Sequence, residues 1–280
     1  MIKLILQFFA ILPLRLNHAL GALIGRLLYA FNTETKRVVV KNLELCFPEM
    51  TQQDRAKLAK QSLMETGKAL TESSYIWLRD FDKNQQKVVS INGLEALEGE
   101  QPTILLVPHF GCWEITGRVL SLTKPVTFLY KPLKNQAQEQ WLFANRQQGN
   151  LSMASADKKG VIKLQRALSK GELIGILPDQ FPGQDSGEIV PFFNQDAYTM
   201  TLLAKLARKN KAKVILTWAY RLPKGQGFEL NFEAVNISSD SGELKEDLLL
   251  MNQVVESLAR RAPEQYLWNY KRFKYLADYN

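Results

Sequence analysis

Apolar positions along the chain fall into two regimes. In residues 1–31 they form near-continuous runs: Leu4 to Leu14 carries no charge, Pro13 and then Arg15 end that run, and a second from Ala19 to Ile24 stops at Arg26. A helix that crosses a bilayer takes about 20 predominantly apolar residues, and here a proline and arginines interrupt the span. The segment reads foremost as a helical membrane anchor, embedded or lying at the interface. An ordinary packed helix pair and a spanning helix are the alternatives. No small-residue cleavage site follows, so a cleaved signal peptide is not expected. The spacing of Gly21 and Gly25 resembles a helix-packing motif.

Further on, the pattern turns amphipathic. Lys36, Arg37 and Lys41 interleave with Val38–Val40 and Leu43, and Cys46-Phe47-Pro48 marks a stop. Thr51 is placed to cap a helix with Asp54 in its first turn, and Leu58, Leu63, Ala69, Leu70 and Ile76 carry it at helical spacing to about Trp77. The polar stretch 79–87 reads as a loop. Short apolar runs at 103–107, 126–130, 173–177 and 213–220 then read as strands. Helical patterns lie between them at about 114–122, 134–149, 160–170 and 198–210, Phe228–Val235 alternates like a further strand, and a last helix runs from about Glu243 to Arg261 before Pro263. This alternation predicts an α/β fold with a mixed, largely parallel central sheet covered by helices. The expected division is an N-terminal membrane-associating segment, 1–31, and a single α/β domain, 32–280.

Composition narrows the chemistry. The net charge of +8 favours anionic partners. The basic residues are spread without a Lys/Arg tail, so nucleic acid is not expected. Cys46 and Cys112 are the only cysteines and form no CxxC pair, and His18 and His109 are the only histidines. A histidine- or cysteine-rich metal site is therefore not expected.

A base that works near neutral pH is most readily a histidine. His18 sits in the apolar N-terminal segment, whereas His109 follows the apolar run Thr103–Leu106 in the stretch Val107-Pro108-His109-Phe110-Gly111-Cys112-Trp113-Glu114. On one straight helix, residues five apart point about 140° away from each other. Glu114 meets His109 only if the chain leaves a strand at His109, bends at Gly111 and enters a helix near Glu114. The carboxylate would then hold one imidazole nitrogen and leave the other to accept a proton; a capping glutamate beside a hydrogen-bonded histidine is the structural alternative. Ile174-Gly175-Ile176-Leu177-Pro178-Asp179-Gln180 is a second apolar strand ending in polar residues, and open α/β sheets bind ligands at such ends. A Pro-Asp turn is the plainer reading.

Val190-Pro191-Phe192-Phe193 lines either a hydrocarbon channel or the core. Arg118, Lys131, Lys134, Arg146, Lys158, Lys159, Lys163 and Arg166 follow the strand ends and are candidates for phosphate or an acidic carrier. No G-x-S-x-G, P-loop or G-x-G-x-x-G occurs. Cys112 lacks any visible means of activation as a nucleophile.

The stretch His109-Phe110-Gly111-Cys112-Trp113-Glu114 resembles the H-x-x-x-x-E signature of the lipid A biosynthesis late acyltransferases, bacterial inner-membrane enzymes of the lysophospholipid acyltransferase superfamily. Further blocks are similar in the same order: Arg37 to Pro48; Tyr130-Lys131-Pro132 through Asn135; Pro178-Asp179-Gln180 with Val190-Pro191-Phe192-Phe193 and Ala197-Tyr198-Thr199; and Pro263-Glu264-Gln265-Tyr266-Leu267-Trp268 with Lys271-Arg272-Phe273. The chain departs in having Cys112 where many members carry asparagine and Asn194 where glycine is frequent. Its N-terminal segment is also shorter and more interrupted than a clear spanning helix.

The resemblance implies a glycerolipid acyltransferase-like fold and transfer of a fatty acyl chain from acyl-carrier protein to a hydroxyl of a phosphorylated glycolipid, a lipid A precursor. His109 would be the general base and Glu114 its support, with Gly111, Lys131, Arg146, Asp179 and Gln180 as substrate-binding candidates. It implies no metal or redox cofactor, and a place on the cytoplasmic face of the bacterial inner membrane. Acylation of another glycolipid or a lysophospholipid, and a non-catalytic lipid-binding protein of the membrane surface, are the alternatives. Lysophospholipid enzymes usually carry aspartate at the position of Glu114.

Overall fold

In a computed structural model, which describes residues 2–132, 135–237 and 242–279, four helices lead the chain: α1 (Ile2–Ile11), α2 (Leu14–Ala30), α3 (Glu34–Cys46) and α4 (Gln52–Leu78). The short α5 (Phe81–Gln85), β1 (Val88–Asn92), β2 (Thr103–Leu106), α6 (Trp113–Leu120) and β3 (Val126–Tyr130) follow. Next come α7 (Gln136–Arg146), β4 (Leu151–Ser155), α8 (Lys158–Ser169) and β5 (Leu173–Ile176). The chain then forms β6 (Gly187–Phe192), β7 (Gln195–Met200), α9 (Leu202–Asn210), β8 (Lys213–Arg221), β9 (Phe228–Val235) and α10 (Leu244–Arg261). Seven strands make one sheet in the order β1-β9-β8-β2-β5-β3-β4, with β6 and β7 as a separate hairpin. From β8 to β4 every neighbouring pair is parallel; β9 runs antiparallel to β8, and β1 lies parallel to β9. The sheet is thus mixed and largely parallel, as the alternation predicts. β2 and β5 are buried at every position, which accounts for their unbroken apolar sequence.

Local signals explain several boundaries. Thr51 caps α4, its Oγ1 accepting from the Asp54 N–H at 3.1 Å and donating to Asp54 Oδ2 at 2.7 Å. Asp157 caps α8 through the Gly160 N–H at 2.9 Å. The expected helix from 198 is corrected: residues 195–200 are β7, and α9 begins at Leu202. The reason is the turn before them, where Phe193 and Asn194 have φ of 51° and 57°, the left-handed pair that closes a tight hairpin. Asparagine is one of the few side chains suited to that conformation. The polar stretch 79–87 holds α5, and residues 88–92 and 151–155 add strands at the two sheet edges.

The N-terminal helices pack against α4. Pro13 separates α1 from α2, and the carbonyls freed at the end of α1 are taken up by side chains. Asn17 Nδ2 donates to Phe9 O at 2.9 Å, while Arg79 Nε and Nη2 donate to Ala10 O at 2.6 Å and Leu12 O at 3.2 Å. Gly21 and Gly25 let the α2 backbone ride directly on α4: a Cβ on Gly25 would lie 2.1 Å from the Leu63 carbonyl oxygen, and one on Gly67 2.0 Å from that of Gly21. The outer face is apolar and exposed, with Leu4 at 70% and Ile11 at 73%, joined by Ile5, Phe8, Leu16, Leu23, Leu27 and Phe31. Among the described residues no helix is long and apolar enough to cross a membrane, so the expected anchor is not carried by a spanning helix.

Beneath α2 lies a buried charge cluster. Arg221, the last residue of β8, donates through Nε to Glu72 Oε2 at 2.8 Å, through Nη2 to Glu72 Oε1, and through Nη1 to Glu65 Oε2 at 2.6 Å. His18 Nε2 lies 2.8 Å from Glu72 Oε2, and Lys68 pairs with Glu65. Glu72 and Arg221 are 2% and 1% exposed at the side chain. Burial pushes the Glu72 carboxyl up, but the Arg221 guanidinium and the bonds from Arg221 and His18 outweigh it and hold the group at about 2. A carboxyl held low in the folded state adds stability above the ordinary glutamate range, and that stability is lost as pH falls toward 2. Glu72→Gln is expected to lower the unfolding free energy by about 3 kcal/mol at neutral pH, measured by denaturant titration. The gap from wild type should close as pH falls; a gap independent of pH would refute this account.

Candidate active site

The register of two neighbouring parallel strands builds the site. Leu106 of β2 pairs with Ile176 of β5. Each is followed by one apolar residue, a proline and a polar residue, Val107-Pro108-His109 and Leu177-Pro178-Asp179. The pairing continues past the strands, with Val107 N–H donating to Ile176 O at 3.0 Å, so His109 and Asp179 arrive side by side. His109 Nδ1 lies 2.8 Å from Asp179 Oδ1, and the His109 backbone N–H donates to Oδ2 at 2.9 Å. The side chains are 14% and 3% exposed, so the carboxylate is buried and the imidazole reaches the surface of a cavity. Burial would raise the Asp179 carboxyl; the His109 imidazole and the two bonds from His109 outweigh that and hold it below the usual range. With Nδ1–H donated to Asp179, Nε2 keeps its lone pair, which accepts from Gln180 Nε2 at 3.1 Å.

The loop beyond His109 bends as the glycine requires. His109 O accepts from Leu267 N–H, Gly111 N–H donates to Gln265 O and Cys112 N–H donates to Ala219 O, each at 2.9 Å. Gly111 has φ of 54°, and a Cβ there would lie 1.9 Å from Ala219 O, so both conformation and space demand glycine. The next residue but one begins α6, and the Trp113 ring packs edge-on to His109 with centroids 5.1 Å apart.

The strand-to-helix bend therefore forms, but the pairing expected across it does not. Glu114 Oε2 accepts from Trp77 Nε1 at 2.8 Å, and Oε1 accepts from Arg146, whose guanidinium lies 4.4 Å from the Trp77 ring centroid. α6 carries Glu114 toward α4 and α7, where those two side chains claim both oxygens. The carboxylate that holds the imidazole is Asp179.

His109 and Gln180 open on a cavity of about 1340 Å³. Trp77, Trp113, Glu114 and Arg146 line it beside His109; Gly117, Phe128, Leu151 and Met153 give it an apolar part; Lys131, Lys158 and Lys205 add cations. Of the sequence candidates, His109, Glu114, Lys131, Arg146 and Gln180 line this cavity, Asp179 stands behind His109, and Gly111 supports the loop without lining it.

Arg118 also borders the cavity, but it is 1% exposed and bound to Trp77 O at 2.8 Å and Gln148 Oε1 at 2.9 Å. Lys163 donates to Met153 O at 2.8 Å, Lys159 and Arg166 are exposed, and Lys134 lies outside the described residues. Val190, Phe192 and Phe193 belong to the core and not to the cavity. The Cys112 thiol is buried, and burial and the nearby Glu72 carboxylate push it well above the ordinary thiol range, which rules out a ready thiolate. Sequence reasoning missed Trp77 as the partner of Glu114, and nothing in its local pattern marks it.

The chain matches the family model described as bacterial lipid A biosynthesis acyltransferase over residues 2–275. It is 33% identical to the lipid A biosynthesis lauroyltransferase of Escherichia coli (strain K12), over 94% of this chain and 87% of that protein. It is 30% identical to the palmitoleoyltransferase of the same strain, over 91% and 84%. It is 24% identical to the myristoyltransferase, over 95% and 83%.

Asp179→Asn keeps a side-chain oxygen for the His109 N–H but places a neutral amide beside Nδ1. Steady-state kinetics should show kcat about 10²–10⁴-fold lower, with KM little changed. An unaltered kcat would make Asp179 structural only.

Proposed function

The chain belongs to the family of bacterial lipid A biosynthesis acyltransferases, and from that membership we propose that it transfers a fatty acyl chain from acyl-carrier protein to a hydroxyl of a phosphorylated lipid A precursor, with His109 as general base. One observation supports this chemistry above all. An imidazole whose Nδ1 is held by a buried carboxylate presents Nε2 to a cavity of about 1340 Å³ that combines an apolar part with cations. Nε2 takes the proton of the acceptor hydroxyl as its oxygen attacks the thioester carbonyl. The C–O bond forms, the C–S bond breaks, and the imidazolium returns the proton to the departing thiolate. The step balances without a metal, a redox group or a covalent enzyme intermediate.

The roles of the neighbours follow from their partners. The four N–H groups from His109 to Cys112 already donate, to Asp179, Pro108 O, Gln265 O and Ala219 O. The oxyanion is therefore left to side-chain donors on the cavity wall, Gln180 and Arg146. Gln180 must yield the Nε2 lone pair when the hydroxyl arrives. Glu114 supports His109 at one remove: it fixes Arg146 and the start of α6, which carries Trp113 against the imidazole. Gly117, Phe128, Leu151 and Met153 receive the acyl chain, and Lys131, Lys158 and Lys205 meet phosphate on the acceptor or acidic groups on the carrier. The three relatives differ in the acyl group they are named for, so family membership leaves chain length to the cavity.

The apolar outer face of α1 and α2, with Arg15 and Arg26 exposed beside it, lies on the cytoplasmic surface of the inner membrane and brings the site to an acceptor that stays in lipid.

His109→Ala is expected to remain folded and to lose at least about 10³-fold in acyl transfer from acyl-carrier protein to a lipid A precursor; turnover like that of wild type would sink the mechanism. For the membrane contact, Leu4→Glu combined with Ile11→Glu should cut sedimentation with anionic phospholipid vesicles by about tenfold or more. Undiminished binding would place the contact elsewhere.

A further inference from the structure

The proposed mechanism makes no use of Arg221, yet this side chain touches the histidine loop directly. Besides its bonds to Glu72 and Glu65, Nη2 donates to the carbonyl oxygen of Gly111 at 2.8 Å. The backbone N–H groups of Gly111 and Cys112 donate to Gln265 O and Ala219 O, and the Cys112 thiol hydrogen-bonds to Glu72. The backbone of Arg221 is itself pinned, its N–H donating to Gln265 Oε1 at 2.8 Å and its carbonyl accepting from Gln265 Nε2 at 3.1 Å. The Gly111–Cys112 peptide is thus held at both faces, by Ala219 O on its N–H and by a guanidinium on its carbonyl. This peptide leads into α6, the helix that sets the Trp113 ring against His109.

Glu72 links this clamp to the N-terminus. Its Oε2 receives both Arg221 Nε and His18 Nε2, each at 2.8 Å. His18 belongs to α2, the helix whose other face carries the exposed Leu16, Leu23 and Leu27. One carboxylate is therefore shared by α2 and β8, while α4 supplies it.

We propose that Arg221 is a positioning residue that holds the His109 loop by the Gly111 carbonyl, and that His18, through Glu72, makes this hold depend on the seating of α2. Three bonded directions from one planar fork suit arginine and not lysine, whose single ammonium cannot span both carboxylates and the carbonyl in one plane. A loop released at Gly111 shifts the imidazole relative to the cavity, and displacement of a catalytic group by about 1 Å costs on the order of 10² in rate. The proposal rests on the acyl-transfer reading for its kinetic readout alone.

The chain has two histidines, so imidazole-labelled full-length protein gives two ring signals by NMR, and substitution of His18 leaves only that of His109. His18→Leu is expected to shift and broaden the His109 signal and to lower kcat about threefold to tenfold with KM unchanged. His18→Gln, whose amide reaches Glu72, should restore both. Arg221→Lys should move the signal in the same way and lower kcat by about tenfold or more.

An unchanged His109 signal in His18→Leu overturns the coupling, as does a shift that Gln fails to reverse, which would reflect packing and not the bond to Glu72. An unchanged signal in Arg221→Lys overturns the hold on Gly111. Loss of the fold in the Leu or Lys variant also counts against the proposal, since these groups would then maintain the structure and not the loop. A wild-type protein inactive in acyl transfer would contradict the proposed function and leave the NMR comparison standing.

Discussion

The parallel register of β2 and β5 is the constraint on which the site depends. Leu106 opposite Ile176 sets His109 against Asp179 three residues beyond that pair on each segment. A slip of one residue would point every side chain to the other face and separate the pair. Apolar patterning alone cannot fix this register, because both strands are buried on both faces. Gly175 supplies the missing specificity. It pairs with Leu105 on one side and Phe128 on the other, and a Cβ at Gly175 would lie 2.4 Å from Phe128 Cε1. The Phe128 ring occupies that space and lines the cavity. One glycine thus pins the register that makes the His–Asp pair and admits the ring that shapes the apolar part of the cavity beside it.

This explains which parts were legible in the sequence. Two strands ending in proline and a polar residue could be read directly, as could the bend at Gly111 and the cap at Thr51 with Asp54 in the first turn of its helix. The partner of His109 could not be read from spacing along the chain. β2 and β5 are neighbours in the sheet although β3 and β4 intervene in sequence, so residues 70 apart meet while residues five apart do not. Glu114 was legible as a carboxylate in the first turn of α6, but its partners come from α4 and α7. Gly21 and Gly25 looked like a weak motif for the same reason, since the glycine that completes the crossing is Gly67 on another helix. The hairpin of β6 and β7 was not read, because the left-handed conformation of Phe193 and Asn194 shows only in the folded turn.

α4 is the element that joins these parts. Leu63 and Gly67 give α2 its seat, Glu65 and Glu72 take the guanidinium of Arg221, and Trp77 holds Glu114 at the cavity wall. Four turns of one helix therefore touch the N-terminal pair, the support of the histidine loop and the site in succession. The apolar outer face of α1 and α2 and the packed glycine face of α2 are opposite sides of one arrangement. The inner side needs small residues for close approach, and the outer side is free to be large and apolar because no other part of the described chain covers it.

Two buried carboxylates, Glu72 and Asp179, are both held low by their partners, and each lies 2.8 Å from an imidazole nitrogen. Their surroundings separate the roles. Glu72 answers chiefly to a guanidinium, which does not release its proton in proteins, and the His18 ring on its other side is enclosed, packed edge-on to Phe228 at 6.1 Å between centroids. Asp179 has no guanidinium within bonding reach among the described residues, and its imidazole turns the second nitrogen toward the cavity. The two pairs thus differ in whether the second ring nitrogen of the histidine reaches open space: the ring is enclosed at His18 and borders the cavity at His109.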